Sequence, residues 1–123
     1  MNVLLIDSHK VSQSTIAQAL DGHSVDIAHD AEQAIHAASD RRPDVVILEM
    51  SLGGHSGMEF LYEFRTYEDW STIPVIVYSS LRLGDDVLSS RAWQQLNVYA
   101  YLYKPEATLT QLKSAVEKAV VAP

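Results

Sequence analysis

The chain has 123 residues, the length of one ordinary domain, and its composition of 47% hydrophobic and 20% charged residues excludes intrinsic disorder. A formal net charge of −7 disfavours binding to bare nucleic acid or anionic lipid, and the lack of cysteine excludes disulfides and thiolate metal sites. There is no signal-peptide pattern and no apolar stretch near the roughly 20 residues that span a bilayer, so the sequence predicts a soluble, cytoplasmic protein.

Short apolar runs alternate with segments of helical period along the chain. In chain order, strands are predicted at residues 3–6, 24–28, 45–48, 75–78 and 98–103, and helices at 11–20, 31–38, 58–67, 87–96 and 109–119. Strict alternation of this kind predicts a parallel sheet with helices on both faces, because right-handed crossovers leave few other topologies.

Three of the strands, at residues 3–6, 45–48 and 75–78, are continuously apolar, which is typical of strands buried on both faces. The strands at residues 24–28 and 98–103 are more polar and are predicted to lie at the edges. The expected fold is therefore a flavodoxin-like (βα)5 doubly wound sandwich with strand order 2-1-3-4-5. Residues 1–123 form a single domain in this interpretation, with nothing left to build an output domain.

Polar residues follow four of the five strands. Asp7 and Ser8 come after the first strand, Glu49 after the third, Ser79 after the fourth, and Lys104 after the fifth. In an open α/β sheet ligands bind at the carboxyl ends of the strands, beside the point where the strand order reverses. Two carboxylates, a hydroxyl and an ammonium group are thus expected at one edge of the sheet, a combination that suits phosphate or metal chemistry.

Four segments carry a resemblance to a known family: VLLIDSH, PDVVILEMSLGGHSGMEFL, IPVIVYSS and YAYLYKP. In this order, and at the ends of these strands, they resemble the response-regulator receiver domain of two-component phosphorelay signalling. The resemblance covers essentially the whole chain and implies a signalling module rather than an enzyme.

The resemblance assigns roles to four residues that fit the family pattern. Lys104 matches the lysine that contacts the phosphoryl group, and Ser79 matches the hydroxyl that follows this group on activation. Tyr101 matches the aromatic residue whose rotamer reports the signalling state. Pro105 matches the proline that follows a usually cis peptide bond.

Two positions depart from the pattern. Glu49 stands where the family has the phosphoacceptor aspartate, and Ser8 stands where it has the second of two adjacent acids, a direct Mg²⁺ ligand. Asp7 is retained as the first acid, and the backbone carbonyl of Ser51 matches the main-chain metal ligand. The loop also has Gly53 where a proline is usual.

Both substitutions weaken phosphoryl transfer on physical grounds. The longer side chain of Glu49 moves its carboxylate outward by roughly 1.3–1.5 Å, and a misplacement of about 1 Å can cost on the order of 10²-fold in rate. Loss of a carboxylate at position 8 removes a charge from the octahedral cage that Mg²⁺ requires. We therefore expect no resident cofactor or metal, and an ion pair between Glu49 and Lys104 that locks the site.

Simpler explanations exist for several of these residues. Asp7 and Glu49 could be solvated carboxylates at strand ends, and Ser8 is a good N-cap for the first helix. His9 and His55 lie on loops beside the predicted site, where histidines and carboxylates could hold a transition metal, although surface-loop histidines are commoner than ligands. No metal site is predicted.

Aromatic residues gather on the fourth helix and fifth strand, the face by which receiver domains usually meet protein partners. Trp93 and Tyr99 are the candidate interface residues, since aromatic side chains are enriched at binding hot spots, and packing in the core is the alternative role for Trp93. The predicted partner surface comprises the fourth helix, fifth strand and fifth helix. A second copy of the chain could also bind there, whereas the substituted site argues against a histidine kinase.

The leading interpretation is an atypical (pseudo-receiver) module that acts by protein–protein interaction without phosphorylation. The first alternative is a working Mg²⁺-dependent phosphoacceptor receiver. The second is a flavodoxin-like cofactor binder, which is disfavoured because residues 8–15 contain no glycine to let the backbone wrap a phosphate.

Overall fold

A computed structural model describes residues 1–121 of the chain. Five parallel strands form one sheet in the order β2-β1-β3-β6-β7, and two very short strands form a separate hairpin. The elements are β1 (Asn2–Ile6), α1 (Lys10–Ala19), β2 (Ser24–Ala28), α2 (Ala31–Asp40), β3 (Val45–Leu48), β4 (Ser51–Leu52), β5 (His55–Ser56), α3 (Gly57–Thr66), β6 (Val75–Ser79), α4 (Asp85–Leu88), α5 (Arg91–Gln95), β7 (Ala100–Tyr103) and α6 (Leu109–Val121). Short 3-10 turns occupy Glu68–Trp70 and Lys104–Glu106.

The sheet separates two hydrophobic layers, because successive side chains of a strand point to opposite faces. Leu4 and Ile6 of β1 pack with the layer under α2 and α3, whereas Val3 and Leu5 pack with the layer under α1 and α6. The predicted flavodoxin-like sandwich and strand order are confirmed, counting the five strands of the main sheet, with β2 and β7 at its edges. Within residues 1–121, no helix is long and apolar enough to cross a membrane.

The loop after β3 contains a hairpin that the sequence analysis did not predict. Ser51 pairs with Ser56 and Leu52 with His55, and the turn between them is formed by Gly53 and Gly54. Both glycines have positive φ angles, of 58° and 89°, as a type I′ turn requires. The Gly-Gly pair is thus the sequence signal for this turn.

The predicted helix at residues 87–96 is wrong as a single element, because the structure divides it into α4 and α5. The hydroxyl of Ser89 donates to the Asp85 carbonyl, at 2.7 Å, and that of Ser90 donates to the Val87 carbonyl. The Ser90 hydroxyl also accepts a hydrogen bond from the Trp93 amide and so begins α5. Serine side chains compete with the backbone for such bonds and break a helix where two stand together.

Two further local predictions are wrong. The residue that precedes α1 is His9 rather than Ser8, and within the described chain no side chain caps this helix. The bond between Lys104 and Pro105 is trans, since no cis peptide bond occurs among residues 1–121. Pro105 lies in the first turn of the 3-10 segment, where its fixed φ angle suits the helical path and its missing N–H costs no bond.

Candidate functional site

The carboxyl edge of the sheet gathers the predicted polar residues into one cluster. Asp7 directly follows β1, Glu49 directly follows β3, Ser79 ends β6, and Lys104 directly follows β7. The first three side chains are almost wholly buried, with exposed fractions of 0–1%, whereas the stem of Lys104 enters from the surface. Buried carboxylates require charged or hydrogen-bonding partners, and the contacts within the cluster supply them.

Lys104 is the centre of the cluster. Its ammonium nitrogen lies 2.9 Å from Asp7 Oδ2, 2.9 Å from Glu49 Oε1 and 3.0 Å from Ser12 Oγ. An ammonium group has three N–H donors, so these contacts use all of them. The expected ion pair between Glu49 and Lys104 is therefore present, and Asp7 shares the same cation.

The carboxylate of Glu49 accepts hydrogen bonds at both of its oxygens. Oε1 accepts from the Ser80 amide at 2.9 Å, from the Ser80 hydroxyl at 3.0 Å and from Lys104. Oε2 accepts from the Ser51 amide at 3.1 Å and from the Ser79 hydroxyl in a short bond. Five donors converge on this one group, which leaves it little capacity to bind anything else.

The electrostatics of the cluster favour the charged forms of all three ionisable groups. Burial raises the pKa of Glu49, but hydrogen bonds from Ser79, the Ser80 amide, Lys104 and the Ser51 amide outweigh it and hold the pKa below its ordinary value. Burial likewise raises the pKa of Asp7, and bonds from the His9 amide, Ser12 and Lys104 bring it below its ordinary value. Burial lowers the pKa of Lys104, whereas its two carboxylate partners raise it above its ordinary value. The ion pairs are thus formed at neutral pH.

Tyr101 is connected to this cluster through the loop after β6. The Ser79 hydroxyl accepts a hydrogen bond from the Leu81 amide at 3.0 Å. The Tyr101 hydroxyl donates to the Leu81 carbonyl at 2.7 Å and accepts from the Leu83 amide at 2.9 Å. One loop is therefore bound at one end by the buried serine and along its length by the tyrosine.

Several contacts of the cluster were missed by the sequence analysis. Ser12 donates to Asp7 Oδ2 at 2.7 Å from the first turn of α1, and Ser80 holds Glu49 with two donors. Gln13 donates to the backbone carbonyl of Asp7 at 2.6 Å and contacts His29. The sequence signal for the contacts of Ser12 and Gln13 is weak. Both stand at the start of the helix that follows Asp7, but whether their side chains point toward Asp7 depends on the angle between that helix and the strand.

Of the other predicted residues, only His9 contacts the cluster, through Asp7. Trp93 is 8% exposed and packs in the hydrophobic layer under α3, so the packing role fits it and the interface role does not. Tyr99 is 44% exposed on the edge of the sheet and stays a candidate for an interface. His9 lies 3.3 Å from Asp7, whereas His55 lies 3.9 Å from Glu59, and the two histidines do not share a site.

The side-chain oxygens of the cluster do not provide the set of ligands for the magnesium site that the resemblance implies. Ser8 offers a hydroxyl where a second carboxylate is needed, and the oxygens of Asp7 and Glu49 already accept from protein donors. The ammonium of Lys104 already bridges the two carboxylates and neutralises part of their charge. Among residues 1–121, no group of three or more His, Cys, Asp or Glu side chains is placed to hold a metal ion.

Comparison with known proteins agrees with the fold. Residues 3–117 match the family model of the response regulator receiver domain. The chain is 31% identical to the KDP operon transcriptional regulatory protein KdpE of Escherichia coli (strain K12) over 91 residues, 72% of this chain and 39% of that protein. It is 27% identical to the sensory/regulatory protein RpfC of Xanthomonas campestris pv. campestris over 98% of this chain and 17% of that protein. The chain thus spans less than half the length of these relatives.

Solved structures share the fold. The Mn(2+)-bound response regulator Rcp1 is 25% identical, with a TM-score of 0.75 over 93% of this chain and 88% of that one. The phosphorylated cyanobacterial phytochrome response regulator RcpA is 27% identical, with a TM-score of 0.75 over 95% and 89% of the two chains. A sensor protein from Polaromonas sp. JS666, at 19% identity, has a TM-score of 0.85 over 97% and 94%, a likeness of fold alone.

Proposed function

Because the chain belongs to the response regulator receiver domain family, we propose that it is a two-component signalling module whose output is binding to a protein partner, without phosphorylation of its own site. The proposal applies to this domain and its partner surface, on α4, α5, β7 and α6. Within it, Glu49 takes the place of the phosphoryl group.

The set of donors around Glu49 carries the proposal. The resemblance assigns Lys104 and Ser79 to contacts with a phosphoryl group, and here both contact the Glu49 carboxylate instead. The backbone amides of Ser51 and Ser80 and the hydroxyl of Ser80 complete the set of five donors. A carboxylate with this many hydrogen-bond donors is more stable in this buried position than in solvent.

The hydrogen bonds of Tyr101 connect the Glu49 carboxylate, through Ser79 and the loop after β6, to the protein surface. Ser79, held by Glu49, binds the Leu81 amide, and the hydroxyl of Tyr101 binds both Leu81 and Leu83. An anchored Glu49 therefore favours one position of this loop and one rotamer of Tyr101. A single carboxylate charge is smaller than the roughly −1.5 to −2 of a phosphoryl group, so we expect the held state to be a partial copy of a phosphorylated one.

We infer in addition that Mg²⁺ has no role in this chain, since Lys104 supplies the positive charge between Asp7 and Glu49. The test is an NMR amide spectrum titrated with Mg²⁺ and then with beryllofluoride, a mimic of the phosphoryl group. We expect the wild-type spectrum to stay unchanged at high ligand excess.

The matched control is the double variant Ser8→Asp, Glu49→Asp, which restores both acids and is expected to respond to the same additions. Shifts in the wild type centred on Asp7, Glu49, Ser79 and Lys104, and spreading to Tyr101, would contradict the proposal.

A working phosphoacceptor receiver is the second candidate. It is favoured by the retention of Asp7, Ser79 and Lys104 in one cluster, and by relatives solved in a Mn(2+)-bound and a phosphorylated form. Acid-labile label taken up from a small phosphodonor, and lost in Glu49→Gln, would establish this candidate in place of the first.

A further inference from the structure

The outer edge of β7 carries main-chain groups with no neighbouring strand. In the described part of the chain, β7 pairs with β6 alone. The Tyr99 amide donates to the Val75 carbonyl at 2.8 Å, so the two-residue period of the strand turns the amides of Tyr101 and Tyr103 toward β6 as well. The N–H and C=O groups of Ala100 and Leu102 consequently point to the free edge, where such groups can pair with an added strand.

A groove of about 610 Å³ runs along this edge between β7 and α6. Tyr99 and Tyr101 line one wall, and Ser114 and Ala115 of α6 line the other, where their small side chains leave room. All four residues of β7 are half-buried, and three of them, Tyr101, Leu102 and Tyr103, line the groove.

The opposite edge of the sheet is protected in a way that β7 is not. Beside β2, Arg41 forms two hydrogen bonds with Asp26, at 2.6 and 3.0 Å, and places both charges at the edge strand. Charged side chains of this kind discourage the addition of another strand. The strand β7 itself has no charged residue, and the ion pair of Arg82 with Glu106 lies outside it, between the loop after β6 and the 3-10 turn after β7.

Lys118 gives the groove its chemical preference. It lies exposed in the wall formed by α6 and forms no ion pair within residues 1–121. Since Arg82 and Glu106 neutralise each other, Lys118 is the unbalanced charge of the groove, and it would attract an occupant with a carboxylate at that end and repel a basic one.

We propose that the free edge of β7 binds an extended, acidic segment of a partner protein as a sixth strand of the sheet. Main-chain bonds to Ala100 and Leu102 supply the binding energy, and Lys118 selects for a carboxylate. This inference rests on the proposed docking function and specifies its mode.

Amide hydrogen exchange tests the geometry directly, with an extended heptapeptide of alternating valine and glutamate as the probe. In the free protein, the amides of Ala100 and Leu102 are expected to exchange faster than those of Tyr101 and Tyr103. With the peptide bound, we expect exchange at Ala100 and Leu102 to slow by at least about tenfold, since each amide then gains a bonded partner.

Two matched controls separate main-chain pairing from side-chain contact. The same peptide methylated on alternate amide nitrogens keeps its side chains but cannot form the strand, and we expect its affinity to fall by on the order of tenfold or more. Leu102→Pro removes an outward N–H from the protein and spares the ladder with β6, whereas Leu102→Val keeps that N–H. Only the proline variant is expected to lose binding, and the methylated peptide gives the answer if that variant does not fold.

Equal binding of the methylated peptide, or unchanged exchange at Ala100 and Leu102, would overturn strand addition while leaving docking by side chains intact. Failure of the valine–glutamate peptide to bind at all would also overturn it, and equal binding of a valine–lysine peptide would overturn the preference for acidic partners. The proposed function fails separately, through a response of the wild-type site to beryllofluoride.

Discussion

The carboxyl edge of the sheet and the outer edge of β7 differ in how fully their polar groups are paired with neighbouring groups. At the carboxyl edge of the sheet, Lys104, Asp7 and Glu49 pair with one another and with six further donors, the hydroxyls of Ser12, Ser79 and Ser80 and the amides of His9, Ser51 and Ser80. Along the outer edge of β7, just before Lys104, the main-chain groups of Ala100 and Leu102 face a groove. At the position where this fold places its chemistry the polar groups are paired with one another, whereas the main-chain groups on the outer edge of β7 have no neighbouring strand in the described part of the chain.

Removing the central cation should have the largest effect on this difference. Lys104→Met leaves two buried carboxylates without their shared partner, and we expect it to lower the free energy of unfolding by about 3–5 kcal/mol. Urea denaturation at pH 7 measures the change. Lys118→Met, which removes an exposed lysine from the groove, is the matched control and should change stability by less than about 0.5 kcal/mol.

The same variant also tests the role given to the ammonium group. Added Mg²⁺ should raise the thermal midpoint of Lys104→Met, because the cation can then bridge Asp7 and Glu49, and should leave the wild type unchanged. A wild-type midpoint that rises with Mg²⁺ would show that the site is not closed.

Acid should have the next largest effect, because protonation of Asp7 and Glu49 removes their ion pairs with Lys104. The pKa values of Asp7 and Glu49 are depressed in the folded state, so the stability they contribute is present above their ordinary values near 4 and is lost as the pH falls through the depressed ones. The pKa of Lys104 is raised, so its contribution is present below about 10.4 and is lost as the pH rises through the folded value.

Stability should therefore be level between about pH 5 and pH 10 as far as these groups decide it, with a decline below. Urea midpoints across pH 2–8 check this. In Lys104→Met the decline should begin at a higher pH, since the lowering of both carboxylate pKa values by Lys104 is then lost. Coincident profiles for the two proteins would contradict the assignment.

Loss of the buried hydroxyl at Ser79 should have a smaller effect. Ser79→Ala removes a donor to Glu49 and an acceptor for the Met50 and Leu81 amides, and we expect a loss of about 1–3 kcal/mol in urea denaturation. Ser71→Ala, at an exposed position just after a 3-10 turn, is the comparison, and an equal loss there would remove the special role of Ser79.

The smallest effect is expected at Tyr101, which connects the loop after β6 to β7. Tyr101→Phe removes the hydroxyl that binds Leu81 and Leu83, at a cost of about 1 kcal/mol. Relaxation-dispersion NMR should then detect exchange in residues 81–84, while Tyr99→Phe, at an exposed position, should leave the loop as it was. A rigid loop in the Tyr101 variant would separate the site from the partner surface.

Much of this architecture could be predicted from sequence because it depends on local period. Continuous apolar runs identify buried strands, and the residue after each run must lie at the carboxyl edge, which is why Asp7, Glu49, Ser79 and Lys104 were found before the fold was known. The pairing of Glu49 with Lys104 followed from side-chain length and opposite charge.

What the sequence did not predict depends on direction in three dimensions. The use of Ser12 and Ser80 as ligands of the carboxylates depends on how α1 and the loop after β6 turn at the sheet edge, and neighbouring residues do not reveal that path. The break between α4 and α5 depends on Ser89 and Ser90, whose hydroxyls compete for backbone carbonyls. The peptide bond before Pro105 is trans, whereas the family pattern implies a cis bond, so the resemblance predicted the wrong isomer.

The carboxylate of Glu49 is joined to the chain by carbon–carbon bonds, and this has a consequence for time. A phosphoryl group on a carboxylate can be hydrolysed, so a signal that depends on it decays. Under the proposed function the state held by Glu49 has no such lifetime and lasts as long as the folded protein does. The strength of the output would then be set by how much of the protein the cell makes and how fast it is degraded.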